Sequence, residues 1–523
     1  MRHILLSFLL FGTAVWAVDP PQATKSVKPI FKMSKETTVI LDPLDEEGYP
    51  DYLTALNQHL RGTIKPQDNA CVKLWQALGP ITESGNPIPA AYWKWLECEA
   101  PPEKGDYFIS SSMFFENSDQ KEAAKADFRK SNLLIREPWS AAEQPDYANW
   151  LKSIEKPLDL AVEAVQRKSF FSPVVMPDEK TRSNLLSCML LPNYQRCRDL
   201  GKALMIRAML RTRQNQLEGA WKDIQACHRL ARHIACGAGQ VELLSGLALE
   251  MMSCWADVAF LEHGKPNGDW LSRVRNDLEL LPPMPSAIEK LEHSDLYSCL
   301  DFACHVRHDG IELLEKFSAV KEEKPIPPEL NHALDGMNWS ETFRIINRGY
   351  GRMASAMRIA DRPARMNALK EYDESVKTMK AEVVNSYANW EKNIREKKVD
   401  GDMGELTGKI LMNLFASSNR GTLQASEQGI QTLALTKLAF ALAAYHEAKG
   451  AYPDKLDQLV PTYMKSMPVD LYSGKVPIYR KTEKGYIVYS VGENGKDDGG
   501  FLRTDGEKDG KRGDDIGIRM PAK

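Results

Sequence analysis

Asp199-Leu-Gly-Lys-Ala-Leu-Met-Ile-Arg-Ala-Met-Leu-Arg-Thr212, Arg213-Gln-Asn-Gln216 and Leu217-Glu-Gly-Ala-Trp-Lys-Asp-Ile-Gln-Ala-Cys-His-Arg-Leu-Ala-Arg-His233 form the stretch that decides the fold. Apolar residues recur every three or four positions on both sides of a four-residue polar turn, the pattern of two amphipathic helices. A turn this short makes them antiparallel neighbours, an αα-hairpin. The same periodicity returns at Val241 to Leu261 and, after the breaks at Pro282-Pro283 and Pro285, at Ile288 to Lys316. Glu322-Glu-Lys-Pro-Ile-Pro-Pro-Glu329 reads as a surface linker, placing a subdivision near 322–330. Thr342 to Lys398 predicts one or two long charged helices, with Gly401-Asp-Met-Gly404 closing them. Toward the N-terminus, Tyr49 to Glu99 carries short helical patterns punctuated by Gly85-Asn-Pro-Ile-Pro89 and Ala100-Pro-Pro102. The fold class is therefore mainly α, an irregular helical bundle over 49–420.

The chain has 523 residues, enough for two to four domains with ample core. A net charge of -3 without a basic stripe argues against a nucleic-acid partner. Arg2 and His3, the apolar run Ile4 to Trp16, and small residues at Val15-Trp-Ala17 predict a signal peptide over 1–17, with the mature chain starting near Val18. An uncleaved anchor is the alternative, since the two differ mainly in the length of the apolar run. Residues 18–48 read as an extended lead-in. The apolar run Leu244 to Phe260 is interrupted by Glu250 and Asp257, so no membrane span is expected after cleavage. These signals predict an exported protein, periplasmic or extracellular. Its nine cysteines then suggest some disulfides and a leftover thiol, with buried free thiols as the alternative.

The last hundred residues differ from the rest. Leu433 to Ala448 predicts a helix with Leu435, Leu438, Ala439, Leu442 and Tyr445 on one face. Ala451-Tyr-Pro-Asp454 and Pro468-Val-Asp-Leu-Tyr-Ser-Gly474 follow. Ile478-Tyr-Arg and Tyr486-Ile-Val-Tyr-Ser490 predict two strands joined at Glu483-Lys-Gly485. A Gly/Asp-rich loop begins at Val491-Gly-Glu-Asn-Gly-Lys-Asp-Asp-Gly-Gly500 and closes at Gly513-Asp-Asp-Ile516. Calcium takes six to eight oxygens from a chain that bends sharply, and this loop is rich in both carboxylates and glycine.

That order of helix, short strands and loop resembles the globular domain of type II secretion major pseudopilins, over about 90 residues. Ser490-Val-Gly-Glu-Asn-Gly495 and Asp514-Asp-Ile516 carry the resemblance. It implies a small α+β pseudopilin-like domain over 421–523, with structural calcium held by the Val491 carbonyl, Asn494, Asp498 and Asp515, and further by Asp497 and Asp514. Asn494 stands where the family has Asp, and the stretch from Gly500 to Gly513 is longer than the family's. The family's prepilin leader and long apolar filament helix are not matched, so the resemblance implies a domain and not a filament subunit. Asp505-Gly-Glu-Lys-Asp-Gly510 is similar to half of an EF-hand loop, but Ile516 falls where the bidentate Glu belongs. The hairpin in turn resembles one tetratricopeptide (TPR) unit, with Ala208, Asn215, Ala220, Ile224 and Cys227 at its small or apolar positions and no second copy at a fixed period. As a whole the arrangement is similar to secreted bacterial proteins to which no activity is attached.

Other constellations carry less. Cys227 and Cys236 lie nine residues apart on one helix, on opposite faces, so with His228 and His233 they make a poor zinc site. Cys304 and His308, with His305, would need ligands from elsewhere. Ser318-Ala-Val-Lys321 lacks companion motifs, and nucleotide, zincin and hydrolase signatures are absent. Tyr92-Trp-Lys-Trp95 fits core packing better than a carbohydrate platform. The expectation is a non-enzymatic binding or structural protein of the cell envelope with protein partners. The alternatives are an extracytoplasmic enzyme with its site in the helical region, or an accessory factor of a secretion system.

Overall fold

The structure, a computed structural model, describes residues 31–82, 85–116, 129–176, 186, 194–310, 313, 334, 336–396, 398, 402–415, 419–508 and 511–521. The expected signal peptide, the linker at 322–330, Ser318 to Lys321 and Cys188 lie outside these residues. The fold is mainly helical with a small three-stranded antiparallel sheet near the C-terminus.

In chain order the helices are α1 (Tyr52–Arg61), α2 (Ala70–Leu78), α3 (Ala90–Leu96), α4 (Ser111–Glu116), α5 (Pro145–Ser153), α6 (Glu155–Ala164), α7 (Tyr194–Arg213), α8 (Leu217–Ala235), α9 (Gln240–Gly264) and α10 (Gly268–Glu279). They continue with α11 (Ala287–Lys290), which runs through a π-helical turn at Leu291–Asp295 into α12 (Leu296–Asp309). Then come α13 (Trp339–Met357), α14 (Arg362–Arg395), α15 (Asp402–Phe415) and α16 (Asn419–Lys449).

The predicted hairpin is α7 and α8. Asn215 takes the left-handed conformation in its turn (φ 58°), which asparagine tolerates better than most side chains. Ala208, Ala220, Ile224 and Cys227 are fully buried between the helices. The third helix, α9, packs on both and on α16. Gly246 makes that approach close: a Cβ there would sit 2.4 Å from the Ala231 carbonyl and 2.7 Å from the Ala235 Cβ. By length and composition α9 is the one described helix able to cross a membrane, yet two-thirds (67%) of its apolar window is buried within the protein. Apolar residues around most of its circumference, broken by buried Glu250 and Asp257, suit a central core helix.

Two large cores share the molecule. The first joins α2–α10 to α16 and the sheet, from Ala70 to Met520; the second gathers Phe31, Tyr52, Leu56 and the helices from α11 to α15. Part of the expected lead-in is thus tied down. Phe31 meets Tyr49 edge-on and Phe343 at a tilt, Asn347 Nδ2 donates to the Glu36 and Thr37 carbonyls, and the Tyr52 hydroxyl donates to the Thr38 carbonyl. The long charged helix ends at Arg395, and α15 follows, with Met403, Ile410, Leu411 and Met412 burying one side of it against α13. The residue chosen as a boundary, Gly421, falls in the first turn of α16.

The helix α16 is buried on more than the predicted face. Phe440 and Ala441 join Leu435, Leu438, Ala439 and Leu442 in the core, because α9 and α10 cover one side and the sheet another. Its core is continuous with that of the helical region, with Phe440 6.4 Å from Trp221 on α8. The sheet has order β1-β2-β5, with β1 (Ile478–Lys481) and β2 (Tyr486–Ser490) paired as predicted and β5 (Ile516–Met520) on the far side of β2. Two-residue strands β3 (Glu507–Lys508) and β4 (Lys511–Arg512) form a separate ribbon in the intervening loop.

Candidate functional site

The acidic loop leaves β2 at Ser490 and returns at β5. Asp470, buried beneath it, anchors its start by accepting from Ser490 Oγ (2.5 Å), Ser473 Oγ (2.6 Å) and the Val491 N–H (3.4 Å). Gly492 and Gly500 both have positive φ (67° and 78°), and a Cβ on Gly492 would meet the Asp514 carbonyl at 2.1 Å. Only glycine permits that close return of the chain.

Four of the predicted ligands come together. The Asn494 N–H donates to Asp514 Oδ2 (2.7 Å), and Asn494 Nδ2 donates to Asp498 Oδ2 (3.2 Å). Asp498 Oδ2 also accepts from the Asp514 N–H (3.1 Å). Asp515, fully buried, accepts from the N–H groups of Gly500 (2.9 Å) and Asp498 (3.4 Å). Val491 stands at the loop's entrance through its N–H bond to Asp470. Asp497 turns away, accepting from the Tyr489 hydroxyl and the Gly499 N–H and pairing with Arg480. Asp505 is engaged by Arg519 through two bonds of 2.9 and 3.0 Å, which takes the EF-like stretch out of consideration as a cage.

Burial pushes the Asp515 carboxyl upward. The two backbone N–H groups counter this, while Asp498 and Asp497 push further in the upward direction. A buried carboxylate among like charges is what a cation would relieve. The donor chemistry, hard oxygens on a Gly-rich loop, fits calcium. The present side-chain aim fits it less well. Among the described residues no three His, Cys, Asp or Glu groups converge on one point, and the oxygens of Asp514 and Asp515 are directed at backbone N–H groups.

The helical hairpin holds a second, unforeseen constellation. Glu250 and Asp257 lie two turns apart on α9 and clamp His228 of α8 from both sides, at 2.9 Å to Nδ1 and 3.0 Å to Nε2. Arg232 closes the group with bonds of 2.7 and 3.1 Å to Glu250. All four side chains are buried. A carboxyl group on each ring nitrogen gives both N–H groups of an imidazolium an acceptor, while burial pushes the Asp257 carboxyl upward. Burial alone would lower the His228 pKa, but the two carboxylates outweigh it and push it up to about 9. Five residues on, His233 behaves oppositely. Stacked on Phe170 and buried without a carboxylate, it is pushed down to about 4, chiefly by burial. One turn before the clamp, buried Asp223 receives Arg207 in a two-bond fork (3.0 and 2.7 Å) and Arg211 at 2.7 Å, with Asp159 on the outer side of Arg207.

An open concavity of about 940 Å³ lies over that second network, lined from α6, α7, α8 and α10. Its cations Arg207, Arg211, Lys222 and Arg273 and its anions Asp159, Glu163, Glu218 and Asp223 are all paired within the protein. No imidazole or thiol lines it. The remaining sequence candidates separate. Cys227 is buried with its thiol pushed up to about 12 by burial, whereas Cys236 is exposed. The eight described cysteines are all thiols. In the aromatic segment Trp93 is core and Trp95 is partly exposed beside Gln58 and Lys65.

Compared with models of protein families, with curated proteins and with solved structures, the chain matches none.

Proposed function

We propose that this chain is an exported, non-enzymatic binding or structural protein of the cell envelope. Its α7–α8 hairpin acts as a TPR-like unit offering surface to protein partners. Its C-terminal helix and sheet act as a pseudopilin-like domain ordered by calcium. The observation that carries the non-catalytic reading is the self-pairing of the charged groups lining the concavity over α6, α7, α8 and α10. Catalysis by acid, base or nucleophile needs a group aimed at a reacting atom with its proton available. The buried part of this network, Asp223 with Arg207, ties α7 to α8 instead. The calcium reading rests on Asp515, buried against two backbone N–H groups in a loop with Asn494, Asp498 and Asp514 at hand. Ion binding would turn the Asn494 and Asp498 side chains from each other toward a shared centre, with the Val491 carbonyl at the loop's start.

The test uses the full chain, since α16 shares its core with α8–α10. A site of the extracellular type, with Kd on the order of 10⁻⁴–10⁻³ M, would stabilise the fold by about 1–3 kcal/mol at about 10 mM calcium. For a chain this long that is roughly 1–3 °C in Tm. The expected result is a rise with calcium, absent with magnesium or chelator and lost in Asp515→Ala. Identical melts in all three conditions would remove calcium from the account.

A further inference from the structure

His59, in the last turn of α1, and His293, in the π-helical turn between α11 and α12, stack face to face. Their ring centroids are 3.8 Å apart and their planes differ by 12°. One residue engages both rings. The Glu289 carbonyl accepts from His293 Nδ1 at 3.1 Å, and the Glu289 carboxylate lies 3.6 Å from His59 Nε2. The π-turn matters here because its wider ring of backbone bonds displaces His293 from the regular helical track, and such turns recur at functional sites. The ring of Tyr297 meets His293 edge-on at 5.8 Å.

The other charged groups around the stack do not supply a second counter-ion. Lys290 repels a charge on His59, and its ammonium is held on the Gly237 carbonyl. Glu292, beside His293, is paired with Arg358. Among the described residues, the carboxylate left to the pair is thus that of Glu289, and it faces His59. One protonated ring can be accommodated by Glu289. Two imidazolium rings in parallel contact repel each other across a distance at which water cannot enter.

We propose that the His59–His293 stack is an acid-released latch, which holds the last turn of α1 to the π-helical turn until both rings are protonated. Burial first, and His293 next, push the His59 pKa below its ordinary value, with Glu289 opposing. The closed form then binds fewer protons than the open one. The latch is fully closed above about pH 6.5, the ordinary value for the freed ring, and loosens as pH falls below it. The buried His228 clamp belongs to a different window, since its pKa is pushed up to about 9.

The test is hydrogen exchange read by mass spectrometry on the full chain at pH 7.5 and 5.0, corrected for the intrinsic pH dependence of exchange. Peptides covering 58–64 and 290–296 should lose protection by up to about tenfold per pH unit below 6.5 for each extra proton taken up on opening. Peptides from α8 serve as the reference for global loosening. His59→Phe keeps a stacked ring without its charge and should hold protection flat across this range. Glu289→Gln removes the carboxylate beside His59 and should bring the loss on more steeply. Equal protection of the wild-type peptides at both pH values would overturn the latch. So would an equal loss in His59→Phe, or a parallel loss in α8. If His59→Phe does not fold, Glu289→Gln behaving as wild type would overturn it.

Discussion

Replacing His228 by glutamine tests the buried clamp most sharply. The imidazolium is held by Glu250 and Asp257 at 2.9 and 3.0 Å, and its pKa is pushed up to about 9 against an ordinary 6.5. A raised pKa means that the folded state holds the proton more tightly than the unfolded chain. The stabilisation is therefore fully present below about pH 6.5 and is lost as pH rises through about 9. A rise from 6.5 to about 9 corresponds to about 3 kcal/mol. His228→Gln removes the titrating group and leaves Asp257 buried without its cation, adding a largely pH-independent cost of a few kcal/mol. The informative quantity is the stability difference between wild type and variant, measured by thermal or urea melts from pH 6 to 10. It should be largest near pH 6 and shrink by about 3 kcal/mol toward pH 10. A difference that stays constant across that range would refute the imidazolium assignment, whatever its size.

Further outcomes follow from neighbouring geometry. His233, pushed down to about 4, contributes stability above about pH 6.5 that is lost as pH falls toward 4, so His233→Phe should flatten the acid limb of a pH–stability profile by about 3 kcal/mol. Asp223→Asn leaves Arg207 with only the outer Asp159 and Arg211 without a carboxylate, and should cost a few kcal/mol in the same melts. Gly246→Ala drives a Cβ to 2.4 Å from a backbone carbonyl that cannot rotate away, and should lower stability by about 1–3 kcal/mol by prising α9 from α8.

The hairpin was legible because its period and its turn agree: expected helices at 199–212 and 217–233 became Tyr194–Arg213 and Leu217–Ala235. The first two strands of the sheet were equally plain from alternation about a Gly turn. Strand β5 escaped because Gly517 dilutes a short alternating run, Ile516-Gly-Ile-Arg-Met520, whose partner lies across a long loop. Glu250 and Asp257 looked like interruptions of an apolar run. Their seven-residue spacing puts them on one helical face, yet nothing in α9 alone says that His228 faces them. Asp470 was passed over for a similar reason, since it serves the loop through Ser490 from twenty residues away. The acidic loop showed which residues would meet but not their aim: Asn494, Asp498, Asp514 and Asp515 gather, whereas Asp497 is drawn off by Tyr489 and Arg480. Of the two alternatives for the cysteines, the eight described ones follow that of free thiols, mostly in cores, where burial pushes Cys71 up to about 11 and Cys227 up to about 12.

Calcium titration of the metal-stripped full chain by calorimetry tests the proposed role most directly. The account predicts one ion per chain with Kd on the order of 10⁻⁴–10⁻³ M, undiminished by equimolar magnesium and abolished in Asp515→Ala. Absence of binding up to about 10 mM, or binding that Asp515→Ala leaves intact, would contradict it.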